Sequence, residues 1–331
     1  MKSPIIAAAL LAGAIPFVHA QSSVVLYGVA DAGLVYESGG SAGHVNAVSS
    51  GVASGNRIGF KGKEDLGGGM AAFFQLENGY NIDTGTAGQG GLLFGRQAFV
   101  GLSGAAGAVS LGRQYSPYYK VMRDVVDPFG IGLAGNSLNI MVGNTRVDNM
   151  VEYQSPRYLG WSVDVAYGAG EAPGNGARNR SLGTGLAYTQ GRFGAHLVHH
   201  RRENATASDH ASNTLLAVKY DFGVVVASLA HARNQGLAGA DSRDTLLGLT
   251  VPLGGAHKVL ASVIVHRDGA PAARDARQWA AAYLYGLSKR TDLYAAYGHI
   301  DNSNGAAFRV GNATDAGSGD TAFNLGVRHT F

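Results

Sequence analysis

Val24-Val25-Leu26-Tyr27-Gly28-Val29-Ala30-Asp31-Ala32-Gly33-Leu34-Val35-Tyr36 alternates with a period of two. Leu26, Gly28, Ala30, Ala32, Leu34 and Tyr36 share one parity and none is charged, whereas Tyr27 and Asp31 fall on the other. That is the period of a strand with two unlike faces, not the 3.6 of a helix. The same pattern returns at Asn56–Glu64, where Ile58 and Phe60 alternate with Arg57, Lys61 and Lys63. It returns again at Met70–Asn78, where Ala72, Phe74 and Leu76 alternate with Gln75 and Glu77. Asp65-Leu66-Gly67-Gly68-Gly69 between these two segments predicts a tight turn, since glycine reaches positive φ without steric cost.

Working outward, further segments of roughly ten residues recur about every nineteen, the length a tilted membrane strand requires. They are placed at 93–103, 108–115, 146–154, 161–169, 181–190, 194–202, 213–221, 224–233, 245–251, 257–267, 278–287, 293–300 and 322–331. With the first three, about sixteen strands result. The connections at 65–69, 155–160, 191–193, 221–223 and 288–292 are short, and those at 37–55, 79–91, 234–243 and 301–321 are long. Short turns at one end and long loops at the other mark an all-β, transmembrane antiparallel β-barrel. Its uncharged parity faces lipid and its polar parity a wet lumen, with no sheet edge left unpaired. Tyr36, Tyr153, Trp161, Tyr167, Tyr188, Tyr220, Trp279, Tyr285 and Tyr297 fall mostly near strand ends, where rings sit at headgroup level. A soluble sandwich seldom needs so many regular strands without a domain break.

Composition agrees. Of 331 residues, 46% are hydrophobic and only 15% charged, below the usual ~25%, yet the mean hydropathy is +0.01 because half of each strand is polar. After the first twenty residues no apolar run approaches the ~20 that a membrane helix needs. The absence of cysteine excludes a disulfide scaffold, a thiolate metal site and a cysteine nucleophile. A net charge of +3, spread without any polybasic block, gives no support to nucleic-acid binding. Lys2, the charge-free run Ile5–Val18 and Val18-His19-Ala20 read as a secretory signal peptide cleaved after Ala20. Residues 1–20 are thus assigned to export, and residues 21–331 to a single barrel domain.

Leu26-Tyr27-Gly28, Arg57-Ile58-Gly59-Phe60-Lys61-Gly62, Glu64 to Gly69, Val100-Gly101-Leu102, Gly112-Arg113, Leu287 to Thr291 and the terminal Arg328-His329-Thr330-Phe331 follow one another along the chain. In that order they resemble the Gram-negative general (non-specific) porins, especially the betaproteobacterial type. The resemblance implies a homotrimer of sixteen-stranded barrels in the outer membrane, each narrowed by a long third loop folded into the lumen. It also implies contact with outer-membrane lipid, including lipopolysaccharide, and with the barrel-insertion machinery. Phe323, Leu325, Val327 and Phe331 share one parity, and the terminal Phe331 resembles the insertion signal of such barrels, although His329 departs from the apolar pattern.

About thirty residues separate Tyr115 from Thr145, beyond the usual ~15 for a loop without a role. By position this is the third long loop. If it enters the lumen, Asp124 and Asp127 lie on one side of the opening. Opposite them, by parity and family position, Arg57, Arg96, Arg113 and Arg146 are expected on the wall. Asp31, Lys61, Lys63, Glu77 and Asp148 are further lumen candidates. Facing rows of opposite charge would select solutes by size and by field, and arginine suits the wall because it stays charged at any working pH. The family's lysine-type position in the first strand is Val29 here, with Asp31 next on that parity, which weakens the basic row. The balance tilts weakly toward anions.

Rival readings have less behind them. His196, His199, His200 and His210 tempt a metal site, but no carboxylate at a fixed spacing completes a ligand set. No GxSxG stands at a strand-to-helix elbow, since Gly39-Gly40-Ser41-Ala42-Gly43 falls in a long connection, and no GxGxxG or P-loop occurs in a strand-to-helix context. The expectation is passive diffusion of small hydrophilic solutes and ions, with no cofactor, no metal, no nucleic acid and no chemical step. A barrel-shaped outer-membrane enzyme or adhesin is the alternative, and so is a substrate-specific channel, for which Tyr118-Tyr119 is the only adjacent aromatic pair in the third loop.

Overall fold

The computed structural model describes residues 23–41 and 43–331, so the expected signal peptide lies outside the described residues. The strands are β1 (Ser23–Gly40), β2 (Gly43–Ser50), β3 (Arg57–Gly67), β4 (Met70–Gly79), β5 (Gln97–Gly104), β6 (Gly107–Tyr115), β7 (Arg146–Gln154), β8 (Trp161–Gly168) and β9 (Ser181–Gln190). They continue as β10 (Phe193–Glu203), β11 (His210–Asp221), β12 (Val226–Gln235), β13 (Asp241–Pro252), β14 (His257–Asp268), β15 (Ala276–Gly286), β16 (Thr291–Asn302) and β17 (Thr321–Thr330). β1 pairs antiparallel with both β2 and β3, each strand from β3 onward pairs antiparallel with the next, and β1 pairs with β17, so the sheet closes on itself.

Seventeen strands make sixteen wall positions. Ala32–Gly40 of β1 pair with β2, while Ser23–Val29 pair with β3, so β2 and β3 occupy one position interrupted at 51–56. The barrel is therefore the sixteen-strand one that the alternation predicts. β2 itself went unpredicted, because Gly43–Ser50 is short and lies among glycines and serines that read as loop. The connection at 234–243 also differs from expectation. β12 and β13 run on as a polar ladder, with Arg233 paired to Asp241 and Asn234 to Ser242, and leave only 236–240 between them.

Alternation sorts the two faces as expected. In β1, Leu26 and Leu34 are exposed on the outside, while Asp31 and Val35 are buried on the inside. Leu216, Leu229, Leu247, Trp279, Tyr283, Phe323 and Leu325 continue the outer apolar surface. The β3–β4 turn is tight because Gly67, Gly68 and Gly69 all adopt positive φ, from 60° to 81°, which side chains with a Cβ avoid. At the seam, Phe331 exchanges backbone hydrogen bonds with Gly28, 3.0 and 3.1 Å, so the last residue is locked into the first strand.

The 51–56 interruption is organised by one carboxylate. Asp31 has no exposed surface; its Oδ2 accepts from the backbone N–H groups of Ala53 and Ser54, 3.0 and 2.8 Å, and its Oδ1 from the Tyr294 hydroxyl, 2.7 Å. Val52 then presents its carbonyl to the N–H groups of Leu133 and Ala313, tying the 116–145 and 303–320 connections to the same point. Removing that acceptor strands several buried donors, each costing about 1–3 kcal/mol. Asp31→Ala is expected to lower unfolding stability by about 3 kcal/mol and Tyr294→Phe by about 1 kcal/mol. Urea unfolding followed by tryptophan fluorescence checks both, and an Asp31→Ala curve that overlays wild type would contradict this role.

Candidate functional site

The connection 116–145 begins with Ser116, whose hydroxyl accepts from the Tyr119 N–H and caps a short helix at Pro117–Val121. The helix widens into a π-turn at Met122–Val126. A turn at Asp127 to Gly130 follows, and the segment then returns through a single turn at Ser137–Asn139. Its contacts fall on the strand parity opposite the apolar one. Lys120 bridges Glu152 and Asp164, at 2.5 and 2.8 Å. Ser228 donates to the Val126 carbonyl, 2.6 Å, and the Gln278 amide to those of Gly135 and Asn136, 3.2 and 3.3 Å. Lys219 donates to the Asp124 carbonyl, 3.1 Å. Tyr118, Met122 and Val126 have no exposed surface, so burial supplements these polar ties.

Between this segment and β3 to β7 lies a space of about 830 Å³, bordered by Arg57, Arg96, Arg123, Arg146, Asp124 and Asp315 among others. Tyr115, the last residue of β6, organises it. Its hydroxyl accepts from Arg96, 2.8 Å, and from Arg146, 3.2 Å. Its ring carries the Arg123 and Arg146 guanidinium groups, each 4.9 Å from its centroid, and Tyr119 stacks beside it at 4.8 Å. Planar guanidinium groups suit this arrangement because they can stack and donate at once.

The expected basic residues have distinct partners. Arg57 donates to Gly55 O and Ser54 Oγ, 3.0 and 2.7 Å, and Arg146 also to Arg96 O, 2.8 Å. Neither forms an ion pair among the described residues. Arg96, 6% exposed, is paired with Glu77 at 2.7 Å. Arg113 pairs with Asp148 and donates to Gly95 O. The structure thus brings Arg57, Arg96 and Arg146 together at one space, while Arg113 and its partner Asp148 line a neighbouring space that shares Arg146. Lys61 and Lys63 lie farther along β3 toward its turn, and Lys61 sits 5.2 Å over the Tyr27 ring.

The two loop acids part company. Asp124 borders the space but makes a bidentate pair with its neighbour Arg123, 2.7 and 2.9 Å. Burial disfavours the charge on Arg123, and the Asp124 carboxylate more than offsets it, holding that guanidinium above its usual pKa. Asp127 is turned away from the space. Its carboxylate accepts from the N–H groups of Phe129, Ile131 and Ser137, between 2.8 and 3.2 Å, and shapes the turn. Burial pushes it up to about 6 against the pull of those donors. Asp31 likewise serves the wall interruption rather than the space.

Sequence reasoning left out Arg123, Tyr115 and Asp315. Arg123 was readable as the neighbour of a loop acid, whereas Asp315 comes from the distant 303–320 connection and had no sequence signal. Among the described residues no group of histidine and carboxylate side chains could hold a metal ion; His199 bonds Thr214 and His266 bonds Asp244.

Residues 7–305 match the sequence profile of the family described as Gram-negative porin. The chain is 32% identical to an outer membrane porin protein of Bordetella pertussis, each covered in full. It is 31% identical to outer membrane porin protein 32 of Delftia acidovorans, again over the whole of both. Among solved structures, an anion-selective porin from Comamonas acidovorans superposes with a TM-score of 0.78 at 26% identity, covering 94% of this chain and 100% of that one. A closed sixteen-strand barrel with an apolar exterior, a polar inner parity and these relatives leaves one conclusion: the chain belongs to the Gram-negative porin family and is a diffusion channel of the outer membrane.

Proposed function

We propose that the pore is water-filled and weakly anion-preferring, that the 116–145 segment folds into the lumen to form its narrowest part, and that the molecule works as a homotrimer without enzymatic activity. The charge around the arginine space carries the reading. Four arginines border it against Asp124 and Asp315, and Asp124 is already engaged by Arg123. Arg57 and Arg146 are held in place by carbonyl, hydroxyl and ring contacts that leave their charge uncancelled. A passing anion meets a fixed positive field there, and arginine keeps that field at every working pH. The anion-selective porin from Comamonas acidovorans, 26% identical, supports the sign.

The inward course of the loop is supported by its bonds to Glu152, Asp164, Ser228 and Gln278, all on the parity away from lipid. Trimer formation is supported by a solved trimer form of an outer-membrane protein of Vibrio cholerae that shares the fold. Contact with lipopolysaccharide, engagement of the insertion machinery through Phe331 and cleavage after Ala20 complete the proposal and follow from the family's setting in the outer membrane.

Two variants test it. At ~6 Å in water a unit charge changes the local concentration of a monovalent ion about threefold. Because the same charge draws in chloride and repels potassium while salt screening roughly halves its energy, Arg57→Ala and Arg146→Ala should each lower the chloride-over-potassium permeability ratio about threefold in planar bilayers. An unchanged ratio in both would contradict the arginine field. Replacing residues 123–138 by a short glycine-serine linker should raise single-channel conductance roughly twofold, since a wider pore passes more ions. Unchanged conductance in that folded variant would place the segment outside the ion path.

A further inference from the structure

The inner wall carries a second patch, adjoining the arginine space at Tyr115 and running toward the short-turn end of β3 to β6. Cross-strand pairing sets Lys63 beside Phe73 and Phe73 beside Gly101; one step along, it sets Lys61 beside Gln75 and Gln75 beside Phe99. These residues share the parity opposite the exposed outer residues Phe60, Val100 and Leu102. Adjacent strands lie about 5 Å apart, so the two lysines and two phenylalanines are within reach of one small molecule. Phenylalanine is unexpected on the wet side of a barrel wall, where polar side chains keep their hydration.

The rings are placed rather than scattered. Phe73 and Phe99 meet edge to face with centroids 6.3 Å apart. Phe73 lies across Gly101, where a Cβ would collide with the ring, so this glycine lets the ring lie flat on the wall. Both rings are only partly covered. They line a recess whose polar sides include Gln97, Gln114, Lys120 and Glu152, with Lys61 and Lys63 on the wall beside it and not in its lining; its volume is about 140 Å³. That is room for a single ring, and Glu152 there is already paired with Lys120.

The charge beside the rings is positive and free. Lys61 and Lys63 are exposed and form no ion pair among the described residues. Of the acids around them, Glu77 is committed to Arg96 and the Tyr27 hydroxyl, Asp65 accepts from the Gly67 N–H in the turn, Glu152 is paired with Lys120, and Glu64 stands on the outward parity with Phe60. Tyr27 extends the aromatic surface, with Lys61 over its face and the Gln75 amide on its hydroxyl.

We propose that this patch is a binding subsite for small aromatic carboxylates, which seat the ring against Phe73 and Phe99 and turn the carboxylate toward Lys63 and Lys61. The proposal rests on the channel reading and adds a substrate class to it. Edge-to-face ring contact and an exposed ammonium–carboxylate pair are each weak in water, so a molecule carrying only one of them passes without stopping. A molecule carrying both is retained long enough to be counted.

The test compares benzoate with acetate, which has the same charge and no ring, as added solutes in potassium chloride bilayer recordings. Benzoate is expected to reduce the chloride current with a half-saturating concentration about tenfold below that of acetate. Phe99→Leu keeps apolar volume but removes the ring and should shrink that difference to about threefold or less, whereas Lys63→Gln removes an exposed charge that both acids use and should raise the half-saturating concentration of both. Equal behaviour of the two acids in wild type, a difference untouched by Phe99→Leu, or half-saturating concentrations untouched by Lys63→Gln would overturn the subsite. Normal chloride steps in the same membrane show that the channel reading stands when the subsite fails, whereas an absence of chloride steps would remove both.

Discussion

A β structure in lipid has no water with which to satisfy a free backbone edge, and each unpaired N–H or C=O there costs several kcal/mol. Closure of the sheet is the constraint on which everything else here depends. It requires β17 to meet β1, which places the terminal Phe331 in backbone exchange with Gly28. It requires every strand to hold one parity to lipid, which is why Leu, Val, Tyr and Trp alternate with polar residues throughout. It also forces the polar parity inward, so a row of charged and amide side chains lines a common interior whether or not any of them was needed for folding.

Within that interior, the buried acids and the arginines of the space differ in their partners. Asp31, Asp127 and Glu77 are buried and spend their acceptors on backbone N–H groups, a tyrosine or an arginine. Arg57 and Arg146 are held by groups that carry no negative charge. The consequence is a positive field at one space in a chain whose total charge is only +3. Tyr115 makes this compatible with stability, because one phenol accepts from two guanidinium groups while its ring carries two, which eases their mutual repulsion.

The fold was legible because period-two alternation is a local property: each of the sixteen predicted segments overlaps a strand of the barrel. What escaped was local sequence without that signature. β2 is too short and too rich in small residues, and the polar upper ends of β12 and β13 stand where alternation between lipid and lumen no longer applies. The site was legible only by type. Arginines on the polar parity of β3 and β7 were readable, and so was the long connection after Tyr115, whereas Arg113 shares the parity of the outward Val109 and Leu111 and meets Asp148 where the β6–β7 pairing shifts register. Whether an acid faces the space or its own backbone depends on the turn it sits in, and that separated Asp124 from Asp127. Asp315 joins them from almost two hundred residues away, a proximity that only closure of the barrel creates.

The most direct test of the account is the zero-current potential of the wild-type protein in a planar bilayer separating two potassium chloride concentrations. A wall whose arginines outweigh its acids predicts a potential of the sign set by chloride passing more readily than potassium. A potential of the opposite sign would contradict that account and hand control of the pore to Asp124, Asp315 and the acids of the wall.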